Sequence, residues 1–120
     1  MTLLSHYKNI IPYTTQDGSE IRELMHPDTQ GNKSQSLAEA IVKPGQCTLL
    51  HRHIKSEELY YIIQGKGEMK LGNELLDVSR GDTICIPPGT EHNIENTGIE
   101  DLIILCCCTP AYSHDDTIVI

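Results

Sequence analysis

Two histidines separated by one residue, His51-Arg52-His53, are followed closely by Glu57 and Glu58. On an extended strand, residues two apart share a face and lie roughly 6.8 Å apart. Two imidazoles at that spacing can tilt onto one cation. If Ile54-Lys55-Ser56-Glu57 forms a reversing loop, Glu58 falls opposite His53 and Tyr60 opposite His51. Cross-strand neighbours have Cβ atoms about 5 Å apart, close enough for a carboxylate to join a shared site. A three-residue loop exchanges the two glutamates, and periodicity leaves both registers open.

A second segment runs Gly81-Asp82-Thr83-Ile84-Cys85-Ile86-Pro87-Pro88-Gly89-Thr90-Glu91-His92. Here a strand meets a stiff Pro-Pro-Gly turn, with Pro fixing its own φ and Gly89 free to take positive φ. The returning strand opens on His92, so this turn can deliver a third imidazole at a fixed angle.

The elements that must position these groups read as short strands near Ile21–Met25, Leu37–Lys43, Cys47–His53, Glu58–Gln64, Glu68–Leu71, Leu75–Val78, Thr83–Ile86, His92–Asn96 and Leu102–Cys108. Turn residues separate them: Asp17-Gly18, Pro44-Gly45, Gly65-Lys66-Gly67, Gly72-Asn73, Arg80-Gly81-Asp82 and Thr97-Gly98. Ser19–Met25 is the one soft helical candidate. With no Phe or Trp and five Tyr, the core must be built mainly from branched aliphatics. The 120 residues make one domain, residues 1–120, all-β, with the regular short strands of a sandwich or barrel.

The two segments resemble the cupins, small β-barrels of the double-stranded β-helix or jelly-roll kind. The first cupin motif, G-x5-H-x-H-x3,4-E-x6-G, is met over residues 45–65 by Gly45, His51, His53, Glu58 and Gly65. The second, G-x5-P-x-G-x2-H-x3-N, is met over residues 81–96 by Gly81, Pro87, Gly89, His92 and Asn96. The step from Glu58 to Gly65 favours Glu58 over Glu57. The resemblance implies a small single-domain cupin in which His51, His53, Glu58 and His92 bind one divalent transition metal inside the barrel mouth. Nitrogen and oxygen donors without thiolate suit Fe, Mn, Ni, Co or Zn. Iron or manganese would open dioxygenase chemistry, and a redox-inert ion the Lewis-acid work of an isomerase or lyase. The reading is a metal-dependent enzyme acting on a small oxygen-rich or aromatic molecule. The alternatives are a non-catalytic module binding a sugar or metabolite, and a structural dimer with an incidental metal.

Around that centre, Tyr60 is the candidate proton donor on the inward face. Cys47 and Leu49 share the parity of His51 and are expected to line the cavity. Arg22 and His26 are the candidate polar contributors from the N-terminal strand. Cys106, Cys107 and Cys108 end an apolar strand and cannot all share one face. The odd cysteine count and the lack of a long apolar leader point to reduced thiols in a cytoplasmic protein. Seventeen acidic against nine basic residues give a net charge of −8, which argues against nucleic acid and anionic membrane as partners. No apolar run is long enough to span a membrane. The apolar end of the tail, Ile118-Val119-Ile120, is expected to dock on a sheet of its own chain or of a second copy, and a homodimer is expected.

Overall fold

A computed structural model describes residues 2–120. Eleven strands are formed: β1 (Tyr13–Thr14), β2 (Glu20–Met25), β3 (Ser36–Val42), β4 (His51–His53), β5 (Glu57–Gln64), β6 (Lys66–Leu71), β7 (Glu74–Ser79), β8 (Thr83–Ile86), β9 (His92–Asn96), β10 (Leu102–Thr109) and β11 (Thr117–Val119). Two short 3-10 turns, Tyr7–Asn9 and His114–Asp116, are the only helical segments described. One sheet has the order β1-β2-β3-β10-β5-β8 and the other β11-β4-β9-β6-β7, with antiparallel pairing throughout. The two sheets pack as a jelly-roll barrel, as the strand pattern requires.

Alternation along each strand decides what faces inward. On β10, Leu102, Ile104, Cys106 and Cys108 are buried while Ile103, Leu105 and Cys107 lie toward the outside. On β5, Glu58, Tyr60 and Ile62 are buried and Leu59, Tyr61 and Ile63 are exposed. Ile62, Met69, Ile86, Ile94, Leu102 and Ile104 are almost completely enclosed and form the apolar core. Each such side chain stabilises the fold by about 1.5–3 kcal/mol. Ala38 and Ala40 on β3 also face inward, and their small side chains leave room for a cavity between the sheets. Gly67 on β6 is a close-approach position, because a Cβ there would collide with the Glu95 carbonyl oxygen of β9.

Three local expectations change. Ser19–Met25 is not helical, since Glu20–Met25 is strand β2 on the edge of β3. Residues 51–53 and 57–64 do not pair as a hairpin. β4 pairs with β9 and β11, whereas β5 pairs with β10 and β8 in the opposite sheet. Glu58 and Tyr60 therefore reach the histidines across the barrel and not as strand neighbours. Finally, the stretch before His51 is not a continuous strand. Cys47 makes only an isolated bridge with Glu95, and the chain is irregular from Thr48 to Leu50. The tail docks on its own chain, with Thr117, Ile118 and Val119 opposite His53, Arg52 and His51.

Candidate metal centre

β4 sits between β9 and β11, and His51 is the direct cross-strand partner of His92. The rings of His51 and His92 are 4.2 Å apart between centroids, and His53 lies 5.2 Å from His51 and 5.5 Å from His92. One nitrogen of each histidine falls within 4.8 Å of the other two. The Pro-Pro-Gly turn is fixed to β4 by a bond from the Gly89 amide to the His53 carbonyl, 2.6 Å. That bond ties the delivery of His92 to the strand carrying the other two histidines. Asn96, the last residue of the second motif, is structural. Its amide nitrogen donates to the carbonyls of Val42 and Glu100, and its side-chain oxygen accepts from the Gly98 amide.

The outer nitrogens set the tautomers. His51 Nδ1 donates to the Leu49 carbonyl at 2.8 Å, and His92 Nδ1 donates to the Thr90 carbonyl at 2.9 Å. His53 Nδ1 lies 3.0 Å from Thr117 Oγ1, which itself donates to the Ser113 carbonyl, so Oγ1 accepts from His53. With all three protons placed on Nδ1, all three Nε2 atoms present lone pairs to one another. This outer hydrogen bonding is the arrangement that orients imidazoles for a cation.

Glu58 faces the histidines from β5, with Oε1 3.2 Å from His53 Nε2 and 3.6 Å from His92 Nε2. Its Oε2 accepts from the Cys108 thiol at 3.3 Å, while Oε1 and His92 Nε2 are buried without a hydrogen-bond partner. An uncompensated charge buried in this way costs several kcal/mol. A divalent cation among Nε2 of His51, His53 and His92 and Oε1 of Glu58 would satisfy every one of these atoms, so the residues fit the metal that the motifs imply. Burial alone would raise the Glu58 carboxyl, but in the metal-free chain the facing His53 and His92 rings, whenever they carry a proton on Nε2, bring it down to about 2 by hydrogen bonding and then by charge. The His51 imidazole is lowered first by burial and then by the nearby His92.

The cavity beside these groups measures about 50 Å³, room for about four water-sized groups. Tyr60, Ile21, Thr48 and Ile94 line it, with Tyr60 edge-on to His92 at 6.2 Å. Burial, then the Glu58 charge, pushes the Tyr60 hydroxyl well above its ordinary value, so it stays protonated. Cys106 and Cys108 also line the wall. Both thiols are raised, by burial first and then by Glu58, and stay protonated too.

Four expected lining residues lie elsewhere. Cys47 is exposed and Leu49 is 52% exposed, because the irregular stretch after Cys47 shifts parity and turns Thr48 inward. Thr48 Oγ1 accepts from the Ile94 amide there. Arg22 projects from the outer face of β2, 3.3 Å from Glu39 and over the Tyr7 ring, while its neighbours Ile21 and Glu23 line the cavity. His26 is buried outside the barrel, donating through Nε2 to the Tyr112 carbonyl and accepting at Nδ1 from the Asp28 amide.

Asp17, Ser19, Glu23, Tyr112 and Thr117 also line the cavity, and the motifs give no sign of them. Asp17-Gly18 carries only a turn signal. Yet Asp17 Oδ1 accepts from the Ser19 amide and hydroxyl, which leaves Oδ2 3.7 Å from His51 Nε2. Glu23 Oε1 accepts from Tyr13 at 3.0 Å, and its Oε2 is buried without a partner. Burial raises the Glu23 carboxyl, against the lowering effect of that bond.

Known proteins carry similar sequences and folds. The family model of the cupin domain matches residues 38–108. An uncharacterized protein of Methanocaldococcus jannaschii is 58% identical over 113 residues, 94% of this chain and 90% of its own length. The oxalate-binding protein of Thermotoga maritima is 33% identical over 86 residues, 72% of this chain and 71% of its own. Among solved structures, an oxalate decarboxylase of Lactobacillus farciminis in a formate complex superposes with a TM-score of 0.83 at 27% identity, over 96% of this chain and 35% of that one. The nucleoside dehydratase Pac13 superposes with a TM-score of 0.81 at 17% identity, over 100% of this chain and 92% of that one, a likeness of fold alone.

Proposed function

Given that this chain belongs to the cupin family, we propose that it is a metal-dependent enzyme acting on a small oxygen-rich or aromatic molecule, with His51, His53, Glu58 and His92 holding one divalent transition ion. The observation that carries this reading is the cluster of one nitrogen each from His51, His53 and His92, with the buried Glu58 Oε1 facing His53 and His92 and left, like His92 Nε2, without a hydrogen-bond partner in the described chain. A bound ion from the Fe, Mn, Ni, Co or Zn group supplies Lewis-acid polarisation of a carbonyl or enediol, or, as iron or manganese, access to dioxygen chemistry. The chain itself orients the ligand. Tyr60, kept protonated by burial, is the hydroxyl donor to a substrate oxygen, and Ile21 and Ile94 exclude water from the far wall. The likeness to oxalate decarboxylase supports a lyase-type reaction. The likeness to the oxalate-binding protein supports the second reading, a module that binds without turnover.

Two outward-facing rows on the larger sheet, part exposed and part half-buried, support a homodimer. Leu37, Cys107, Leu59 and Cys85 lie side by side in register, next to Leu105 and Tyr61.

Metal analysis of the untagged chain, purified without added metal, tests the proposal. One equivalent of ion is expected in the wild type and almost none in His51→Ala/His92→Ala. Full metal content, or turnover, surviving in that double variant would remove these residues from the function.

A further inference from the structure

The cavity wall is acidic in a way the two motifs do not require. Asp17, Glu23 and Glu58 line it, and no Lys or Arg among the described residues does. Each of the three carboxylates is fixed through one oxygen and leaves the other without a hydrogen-bond partner. Ser19 holds Asp17 Oδ1, Tyr13 holds Glu23 Oε1 and Cys108 holds Glu58 Oε2. Glu58 and His92 are almost fully buried, and Glu58 Oε1 and His92 Nε2 have no partner. With an ion on Glu58 Oε1 and His92 Nε2, Asp17 Oδ2 and Glu23 Oε2 are the fixed acceptors left for the donors of a ligand.

The approach has the same character. An outer chamber of about 380 Å³ shares Tyr13, Glu23 and Tyr112 with the inner one and adds Asp28 and Asp115, with His26 and His114 as its only basic side chains among the described residues. Clefts lined by one sign of charge focus the field and repel ligands of that sign.

Resting on the metal centre proposed above, we infer that the cavity selects small ligands that are neutral or cationic and donate hydrogen bonds through hydroxyl or amine groups, with Asp17 and Glu23 excluding small dianions. Glu58 alone would leave a bound divalent ion with one surplus positive charge. Asp17 and Glu23 reverse that balance, and even with a proton on Glu23 the remaining carboxylates cancel the ion. An oxalate dianion entering here meets no cation except the metal, and it brings two further negative charges to a wall that already carries Asp17, Glu23 and Glu58. Like charges placed together in a desolvated site cost binding steeply. The likeness to oxalate-binding and oxalate-cleaving proteins therefore reflects fold and metal ligands, and not ligand choice.

The test uses oxalate and oxamide, which share a skeleton and differ in charge and in N–H donors. Each is titrated calorimetrically into the manganese-loaded full chain, with metal content checked after each run. Oxamide is expected to bind at least tenfold more tightly than oxalate. Asp17→Asn and Glu23→Gln are each expected to shift that ratio about tenfold toward oxalate, and the two together to reverse it. Tighter binding of oxalate by the wild type, or a ratio that neither single variant moves, would overturn the inference. Failure to take up manganese would overturn the metal centre alone, since the order of the two probes is then read on the metal-free chain, where oxalate is expected to bind more weakly still.

Discussion

Thr117→Val is a sharp probe of the proposed metal centre, because it alters none of the four proposed ligands. Thr117 Oγ1 accepts from His53 Nδ1 at 3.0 Å and donates to the Ser113 carbonyl at 2.9 Å. Valine keeps the β-branched shape, and the backbone pairing of β11 with β4 does not involve the hydroxyl. The substitution therefore leaves His53 Nδ1 without its acceptor and frees the ring to turn or to change tautomer. Losing an outer partner of this kind weakens metal binding by roughly 10- to 100-fold, or about 1.4–2.8 kcal/mol. His51 and His92 donate to main-chain carbonyls that the substitution does not touch. One imidazole of three is released, so the lower end, about tenfold, is expected. Competition for nickel against a fluorescent chelator measures it, with Thr117→Ser as the restoring control. Unchanged affinity in Thr117→Val, or an equal loss in Thr117→Ser, would refute the argument that this hydroxyl orients a ligand.

Two further outcomes can be checked directly. In a chelator-treated sample the thermal midpoint should fall as pH drops, in two windows. The His51 pKa is lowered from 6.5, so the folded chain binds fewer protons than the unfolded one, and this contribution, complete above pH 6.5, erodes below it. The Glu58 pKa is lowered from 4.5 to about 2, so its contribution, present above pH 4.5, is lost as pH falls toward 2; a midpoint that rises on mild acidification would contradict both. Gly67→Ala should destabilise the fold by about 1–3 kcal/mol in urea unfolding, since its methyl would meet the Glu95 carbonyl oxygen, and a variant as stable as the wild type would mean that β6 and β9 pack less closely.

The four proposed metal ligands were readable because their spacing is local, either on a strand or around a rigid turn. What they pair with is not local. His53 and Glu58 are five positions apart in sequence, yet they belong to opposite sheets. A period of two says which face a residue takes and nothing about which strand lies beside it. The same rule misplaced Cys47 and Leu49, because it holds only while the strand is unbroken, and the break falls between Thr48 and Leu50. Arg22 and His26 are candidates by their chemistry alone. On β2 it is the odd-numbered neighbours Ile21 and Glu23 that face the cavity, and Glu39 pairs with Arg22 on the outside. Asp17 and Thr117 could not be found from sequence, since each acts through a histidine far along the chain.

Strand β11 supplies the acceptor for His53 and closes one edge of the strand bearing His51 and His53. It also follows all four proposed ligands in the sequence. During synthesis on the ribosome, then, the donor atoms emerge before the segment that holds one of them in place. A nascent chain has a half-supported pocket, and firm capture of the proposed ion would wait until residues 117–119 have emerged and added themselves to the sheet.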